Sequence, residues 1–163
     1  MRSARPSPAS WPWFALVVGL VALDQWSKAL VVQRFALHES LAVLPVFDLT
    51  RLHNTGAAFS LFADQPGWQR WLFSAIALAV SAVLGALLWR FERGAPRALA
   101  ASYALIMGGA VGNLIDRVAQ GFVVDFIHLH WERWYYPAFN VADSAITVGA
   151  VLLVWDAFRQ PKE

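Results

Sequence analysis

Two aspartates stand out because each lies in an apolar stretch of the chain. Asp125 is flanked by valines and a phenylalanine, and Asp143 lies in a stretch with no basic residue within four positions. Two carboxylates that come close together can share one proton. One then acts as a base towards water while the other donates a hydrogen bond to a substrate carbonyl. This is aspartyl protease chemistry, and Asp125 and Asp143 are its best candidate pair.

Other charged residues in apolar surroundings also have structural interpretations. Asp24 and Lys28 are four residues apart, so they can pair on one face of a helix. Charges paired in this way often only hold helices together, and we favour that role for them. Asp116 and Arg117 are adjacent, so their side chains point in different directions. The two can serve as an anchor pair at a helix end, and for Asp116 we again favour a structural role.

Several other chemistries lack support in the sequence. Cysteine is absent, which excludes disulfides, thiolate metal sites and a cysteine nucleophile. The HExxH and GxSxG patterns are also absent, so a zinc protease and a serine nucleophile elbow are disfavoured. Metal-ligand spacing is not evident either, and we expect no metal. The histidines are interpreted as interfacial polar residues and the asparagines as possible partners of backbone groups: His38, His53, His128 and His130, and Asn54, Asn113 and Asn140.

The composition shows in what setting these residues must work. The chain has 163 residues, of which 58% are hydrophobic and 15% charged, against about 45–50% and about 25% in an ordinary soluble domain. This argues for a membrane protein. A formal net charge of +2 is too small to suggest nucleic-acid binding, and no nucleic-acid partner is expected.

Four apolar stretches are long enough to cross a bilayer, which takes about 20 residues of helix. They predict membrane-spanning helices at about 11–33, 69–90, 97–117 and 138–158, within a single domain of residues 1–163. A cleaved signal peptide is the alternative for the first stretch, but no small-x-small cleavage site follows it. We therefore expect this helix to be retained.

The basic residues predict the orientation of the helices. They cluster before helix 1, between helices 2 and 3, and after helix 4, and the positive-inside rule places these segments in the cytoplasm. Both termini are then cytoplasmic, and the other two connections face outward. The residues concerned are Arg2, Arg5, Arg90, Arg93, Arg97, Arg159 and Lys162.

The two outward connections differ from plain loops. The segment from Val46 to Asn54 alternates with period two, and a turn follows it, so we predict a small antiparallel β platform at about 41–62. The second connection, about 118–137, mixes aromatic and polar residues and is predicted to lie along the membrane interface. The fold class is therefore a mainly α membrane protein with a small outer sheet. Gly108 and Gly112 have the spacing that allows close helix packing.

Placing the polar residues by depth brings them together. Given the predicted orientation, four separate parts of the chain deliver them to one slab near the outer surface. Charged groups buried in a membrane cost at least about 2.5–3.5 kcal/mol each on insertion scales, so they usually mark function. The residues in this slab are Asp24, Lys28, Asn54, Asn113, Asp116, Arg117, Asp125, Asn140 and Asp143.

Five blocks of this sequence resemble those of the lipoprotein signal peptidase family, also called signal peptidase II. They occur in the family's order, cover most of the chain from about 12 to 155, and are jointly highly specific. The blocks are Asp24-Gln-Trp-Ser-Lys28, Asn54-Thr-Gly-Ala-Ala58-Phe59, Gly108-Gly-Ala-Val-Gly-Asn-Leu-Ile-Asp-Arg117, Gly121-Phe-Val-Val-Asp-Phe126 and Phe139-Asn-Val-Ala-Asp143-Ser.

The resemblance implies a multi-pass aspartyl endopeptidase of the bacterial inner membrane, with its site near the outer face. Its partners would be membrane lipid and diacylglyceryl-prolipoproteins, cleaved just before the lipidated cysteine, and we expect a monomer that needs no cofactor. By motif, Asp125 and Asp143 match the catalytic pair. Four residues match substrate-binding positions, namely Asn54, Asn113, Arg117 and Asn140. Six match supporting positions, namely Asp24, Lys28, Gly56, Gly108, Gly112 and Asp116.

A small proton-coupled transporter or channel component is the rival hypothesis, because intramembrane carboxylates often serve proton relays. Polar groups confined to one side and the lack of evident inverted halves argue against it. A purely structural membrane protein is a third possibility, but it leaves Asp143 unexplained.

Overall fold

The computed structural model describes residues 9–56, 66–92 and 95–159. Four helices run through this part of the chain: α1 (Trp11–Arg34), α2 (Trp68–Trp89), α3 (Arg97–Gln120) and α4 (Val141–Arg159). Each is long and apolar enough to cross a membrane. The predicted four-helix architecture is therefore confirmed.

The helices are apolar on their outer surface and polar inside. Val18, Leu78 and Phe158 are 68%, 61% and 85% exposed, whereas Asp24 and Asn140 are fully buried. A soluble protein would have the opposite distribution. The arrangement suits a bundle whose outer surface faces lipid and whose interior holds the polar residues.

Helix α3 is the centre of the bundle and packs against each of the other three helices. Two of its glycines permit this close packing. A Cβ atom at Gly108 would lie 2.6 Å from the Cδ2 atom of Leu20, and one at Gly112 would lie 2.6 Å from the Oδ2 atom of Asp24. The predicted packing role of these glycines is confirmed, and at Gly112 the backbone makes room for a carboxylate.

A four-stranded antiparallel sheet covers the end of the bundle where α1 and α3 end and α2 and α4 begin. We call this the sheet end. Its strands lie in the order β1-β2-β3-β4. They are β1 (Ser40–Leu44), β2 (Phe47–Asn54), β3 (Val123–Trp131) and β4 (Trp134–Tyr135).

The sheet draws on both connections at this end of the bundle. The predicted platform at 41–62 corresponds to β1 and β2, and the part of it at 57–62 lies outside the described residues. The segment at 118–137, expected to lie along the membrane interface, contributes much of its length to β3 and β4. Pairing with β2 gives β3 partners for its backbone N–H and C=O groups, which a lone interfacial segment would lack.

Two junctions set the bounds of the helices next to β3. Gly121 adopts a positive φ of 88°, and its N–H donates to the carbonyl of Arg117, which ends α3 and turns the chain into the strand. At the other end, Phe139 forms a β-bridge with Ile127. Extended backbone at Phe139 delays the start of α4 to Val141, later than the expected 138, and holds that start against β3.

Candidate active site

Asp125 and Asp143 line the same cavity, as the candidate pair requires. Asp125 lies on β3 and is 3% exposed, while Asp143 lies in the first turn of α4. The cavity has a volume of about 960 Å³ and lies at the sheet end. The bridge between Phe139 and Ile127 explains the meeting, because it places the start of α4 beside the strand that carries Asp125. We call Asp125 and Asp143 the cavity pair.

Asn140 joins the two carboxylates. Its Nδ2 atom donates to Oδ1 of Asp125 at 2.7 Å, while its backbone N–H donates to Oδ2 of Asp143 at 3.3 Å. Its own Oδ1 accepts the backbone N–H of Asp143 at 2.9 Å. The two residues thus cap the helix reciprocally, in the manner of a capping box. The local sequence Asn-Val-Ala-Asp therefore has two effects: it starts α4, and it orients the Asp143 side chain.

Asn54 approaches Asp125 from the end of β2. Its Nδ2 atom donates to Oδ2 of Asp125 at 2.9 Å, and its Oδ1 atom accepts the N–H of Gly56 at 2.9 Å. Because the Gly56 N–H occupies the amide oxygen, the NH₂ group is the end that faces the carboxylate. The turn after β2 therefore sets the orientation of the Asn54 side chain.

Asn113 plays the same part for Asp143 from α3. Its Nδ2 atom donates to Oδ1 of Asp143 at 2.7 Å, and its Oδ1 atom accepts from Nζ of Lys28 at 3.0 Å. All four oxygens of the cavity pair thus accept at least one N–H from an asparagine. The pair is held by neutral amides, which orient the carboxylates without cancelling their charge.

The surroundings of Asp125 favour its protonated form. Burial, as the larger cause, and the negative charge of Asp143, as the second, raise the pKa of Asp125 from 3.8 to about 7. The hydrogen bonds from Asn54 and Asn140 act in the opposite direction, because they stabilise the carboxylate, but they do not outweigh burial. Near neutral pH this side chain can hold or release a proton, as the proposed chemistry needs.

Arg117 also lines the cavity and is held in place on two sides. Its Nη2 atom donates to the carbonyl oxygen of Gly56 at 3.0 Å, and its guanidinium lies 5.4 Å from the ring centre of Phe73. Its neighbour Asp116 points elsewhere and forms an ion pair with Lys28. Adjacent residues on a helix point about 100° apart, which explains why the two side chains separate.

A second polar group, which we call the lysine cluster, lies beneath the cavity and consists of Asp24, Lys28 and Asp116. Nζ of Lys28 lies 2.8 Å from Asp24 and 3.0 Å from Asp116, and none of the three is more than 4% exposed. The predicted pairing of Asp24 with Lys28 is therefore confirmed.

The lysine cluster also ties neighbouring elements together. Asp24 accepts the backbone N–H of Ala142 at 3.0 Å, and Asp116 accepts that of Val124 at 3.2 Å. These bonds join α1 to the start of α4 and α3 to β3. None of the three charged residues lines the cavity.

Gln25 is a member of this network that the sequence analysis missed. Its Nε2 atom lies 2.9 Å from Oδ1 of Asp116 and 3.2 Å from both Oδ2 of Asp24 and the carbonyl oxygen of Gly112. The available signal was its position, since it is an amide next to Asp24 within an apolar helix. The interpretation of the histidines also missed that His38, His53 and His128 line the cavity.

The wall of the cavity changes character along its length. Towards the helices it is apolar, with Phe73, Ile76, Ile106 and Ile146 among its residues, and towards the sheet it carries histidines and tyrosines. The cavity pair lies between these two parts. Within the described ranges, no group of three or more His, Asp or Glu side chains is arranged to hold a metal ion.

Four membrane-length helices, a buried pair of amide-bound carboxylates and a cavity beside them define an integral membrane protein with a polar site at one end of its bundle. Comparison with known proteins identifies the family. The family model of signal peptidase (SPase) II matches residues 16–159. The chain therefore belongs to the signal peptidase II family, and it is a multi-pass membrane peptidase.

Individual relatives agree with this assignment. The lipoprotein signal peptidase of Pseudomonas aeruginosa is 52% identical over 153 residues, which cover 93% of this chain and 90% of the relative. That of Pseudoalteromonas translucida is 48% identical and covers 98% and 96% of the two chains. A solved structure of a bacterial membrane enzyme superimposes with a TM-score of 0.82 at 26% identity, covering 99% of each chain. These relationships do not support the transporter hypothesis.

Proposed function

We propose that this protein removes signal peptides from diacylglyceryl-modified prolipoproteins by an aspartyl mechanism, cutting the peptide bond before the lipidated cysteine. One observation carries the mechanistic part. Carboxylates from β3 and α4 meet in one cavity, and neutral asparagine amides hold them both. Membership of the signal peptidase II family supports the substrate class.

The chemistry follows from one proton shared by the cavity pair. The ionised carboxylate removes a proton from water, whose oxygen attacks the carbonyl carbon of the scissile bond. The protonated carboxyl donates a hydrogen bond to the carbonyl oxygen, which stabilises the negative charge that develops there. Transfer of a proton to the amide nitrogen then breaks the C–N bond. The products are a carboxylic acid on the signal peptide and a free amine on the cysteine.

The neighbouring polar residues position the reacting groups. Asn54, Asn113 and Asn140 keep the carboxylates in the orientation described above, which lowers the entropic cost of reaching the transition state. Arg117 lies in the cavity wall and holds the carbonyl of Gly56. It can therefore control the turn that follows Asn54 and offer its remaining N–H groups to the substrate backbone.

The two parts of the cavity wall suit the two parts of the proposed substrate. The apolar helix side matches a hydrophobic signal peptide and acyl chains that stay within the bilayer. The polar sheet side matches the start of the mature polypeptide, which must leave towards water. Cleavage between these two parts places the scissile bond beside the cavity pair.

We further propose that the sheet end faces outward and that both termini are cytoplasmic, as the arginines between α2 and α3 indicate. A reporter fused near Gly94 should behave as cytoplasmic, and one fused near Asp64 should behave as external. Both positions lie outside the described residues, in the connections at opposite ends of α2. The reverse pattern would overturn the orientation.

A cleavage assay in lipid tests the proposed activity. The purified protein should cut a peptide with a diacylglyceryl-cysteine, leave its unmodified counterpart intact, and be unaffected by a chelator. Asp143→Asn should abolish cleavage. The matched change Asp48→Asn should not, because Asp48 pairs with His130 away from the cavity lining. Equal cleavage of both peptides would refute the substrate assignment, and inhibition by chelator that added metal reverses would refute the mechanism.

A further inference from the structure

The sheet side of the cavity carries a group of basic side chains that the proposed mechanism does not use. His38 and His53 line the cavity, and Nη2 of Arg51 lies 3.5 Å from Nε2 of His53. We call these three residues the basic rim. Arg51 and His53 lie on β2, and His38 lies between α1 and β1. The rim is close to the reaction, since His53 immediately precedes Asn54, the partner of Asp125.

The basic rim has no acidic counterpart among the described residues. The ion pairs among the described residues all involve side chains outside the rim. The nearby Glu39 carboxylate accepts the backbone N–H of Ala36. Burial, then the charges of Arg51 and His38, lowers the pKa of His53. The positive charge beside the ring therefore disfavours a charged His53, and an anion bound there would offset that effect.

The backbone also holds His38 in an unusual conformation. Its φ is 68°, in the left-handed region that few residues other than glycine adopt. Two backbone hydrogen bonds maintain it, from His38 to the carbonyl of Arg51 and from Arg51 to the carbonyl of Glu39. Such strain persists where the surrounding structure enforces it, often at functional sites. Here it sets a histidine on the cavity wall.

The ring of His53 is held in a fixed plane as well. It stacks on Phe122 with ring centres 3.7 Å apart and an interplanar angle of 15°. Arg51 is anchored from behind, since its Nη1 atom donates to the carbonyl of Phe35 at the end of α1. The rim therefore presents two ordered imidazole rings to the cavity, with the Arg51 guanidinium beside one of them.

We infer that the basic rim is a subsite for an acidic side chain in the first residues of the mature polypeptide, just after the cysteine. The inference rests on the proposed function. His53 pairs with Val124, next to Asp125, in the β2–β3 register. An extended chain advances about 3.3 Å per residue. A substrate residue within about three positions of the scissile bond can therefore reach the rim.

The inference predicts a charge preference in the substrate. Three diacylated peptides, identical except for Asp, Asn or Lys at the second residue after the cysteine, should differ in kcat/KM. We expect roughly a tenfold advantage of Asp over Lys, expressed mainly in KM, because a partly exposed basic site attracts an anion modestly and repels a cation. The Asn peptide should fall between the two.

Variants of the two lining histidines identify the source of the preference. His38→Asn suits the positive φ, which asparagine tolerates, and His53→Gln retains a hydrogen-bonding side chain. The double variant should lose the difference in kcat/KM between the Asp and Lys peptides. The matched control is His130→Gln. His130 pairs with Asp48 and does not line the cavity, so this variant should keep the preference.

Three results would overturn the inference. They are equal kcat/KM for the Asp and Lys peptides, a preference that survives in the double variant, and rates that follow the fraction of anionic phospholipid in the vesicles whatever the peptide charge. The last result would assign the rim to a lipid phosphate. The Asn peptide keeps this test separate from the proposed function, because failure to cleave it would refute the function itself.

Discussion

The cavity pair and the lysine cluster both bury carboxylates at the same end of the bundle, but different groups compensate them. In the lysine cluster an ammonium lies within 3.0 Å of both carboxylates, and the group does not line the cavity. In the cavity pair the direct partners are amide and backbone N–H groups, and both side chains line the cavity.

The difference separates a structural role from a chemical one. In the lysine cluster each carboxylate has a cation as its direct partner, and that partner holds the carboxylates between helices. Two carboxylates held by neutral donors keep their mutual repulsion, so one of them gains by holding a proton. The lysine cluster is thus suited to joining α1, α3, α4 and β3, and the cavity pair is suited to proton transfer.

The largest expected effect comes from removing a carboxylate of the cavity pair. Asp125→Asn or Asp143→Asn should each lower kcat by at least about a thousandfold, because an amide cannot exchange the shared proton. The double variant should be little worse than either one, since the pair acts as a unit. Cleavage of the diacylated peptide by protein purified from membranes measures this. Substantial turnover by either single variant would refute the aspartyl mechanism.

Breaking the lysine cluster should instead unfold the protein. Asp24→Ala leaves Lys28 with one carboxylate fewer in a buried setting and also removes the acceptor of the Ala142 N–H. Breaking a buried ion pair in this way costs about 3–5 kcal/mol. Thermal unfolding in detergent should show a much lower unfolding temperature for Asp24→Ala than for the unmodified protein.

The control is Asp48→Ala, which removes a partly exposed pair with His130. Such pairs contribute at most about 1 kcal/mol. Normal yield and stability of Asp24→Ala, with only activity lost, would show that the lysine cluster is part of the chemistry.

Truncating the positioning residues should have an intermediate effect. Asn54→Ala and Arg117→Ala should reduce turnover by about tenfold to a hundredfold, because the reacting groups lose orientation but stay present. The bundle should keep its unfolding temperature. Arg70→Ala is the matched control. It removes a guanidinium that donates to the carbonyl of Val118 and does not line the cavity. Equal losses in Arg117→Ala and Arg70→Ala would contradict the positioning role.

The smallest effect is the dependence on pH. The pKa of Asp125, raised to about 7, means that the shared proton is lost as the pH rises through that value. Turnover should then fall by about tenfold per pH unit on the alkaline side of a bell-shaped profile, whose two pKa values belong to the pair. Turnover that stays constant between about pH 6 and about pH 9 would contradict the shared proton.

Stability should change in the same direction. A raised pKa in the folded protein stabilises it fully below about pH 4, and this contribution is lost as the pH rises through about 7. Asp125→Asn has no such group, so the difference between its unfolding temperature and that of the unmodified protein should change with pH over this range. An unchanged difference would show that Asp125 is ionised throughout.

Much of this protein could be predicted from its sequence. The helices follow from four apolar stretches, since the bilayer requires about 20 apolar residues for each span. The pairing of Asp24 with Lys28 follows from helical periodicity, which places residues four apart on one face. Asp143 was identifiable because a charged side chain in an apolar helix is costly in a membrane and usually marks function. The local Asn140–Asp143 cap depends on residues only three positions apart.

The tertiary structure decided the contacts between distant segments. Three of these contacts depend on packing. β3 joins β2, the bridge at Phe139 brings α4 to Asp125, and Asp116 pairs with Lys28 and not with its neighbour Arg117. Periodicity describes one element at a time and carries no information on which elements meet. For that reason the sequence determined the polar residues of this protein and their depth, while only the fold decided which carboxylates are compensated by a cation and which are left able to share a proton.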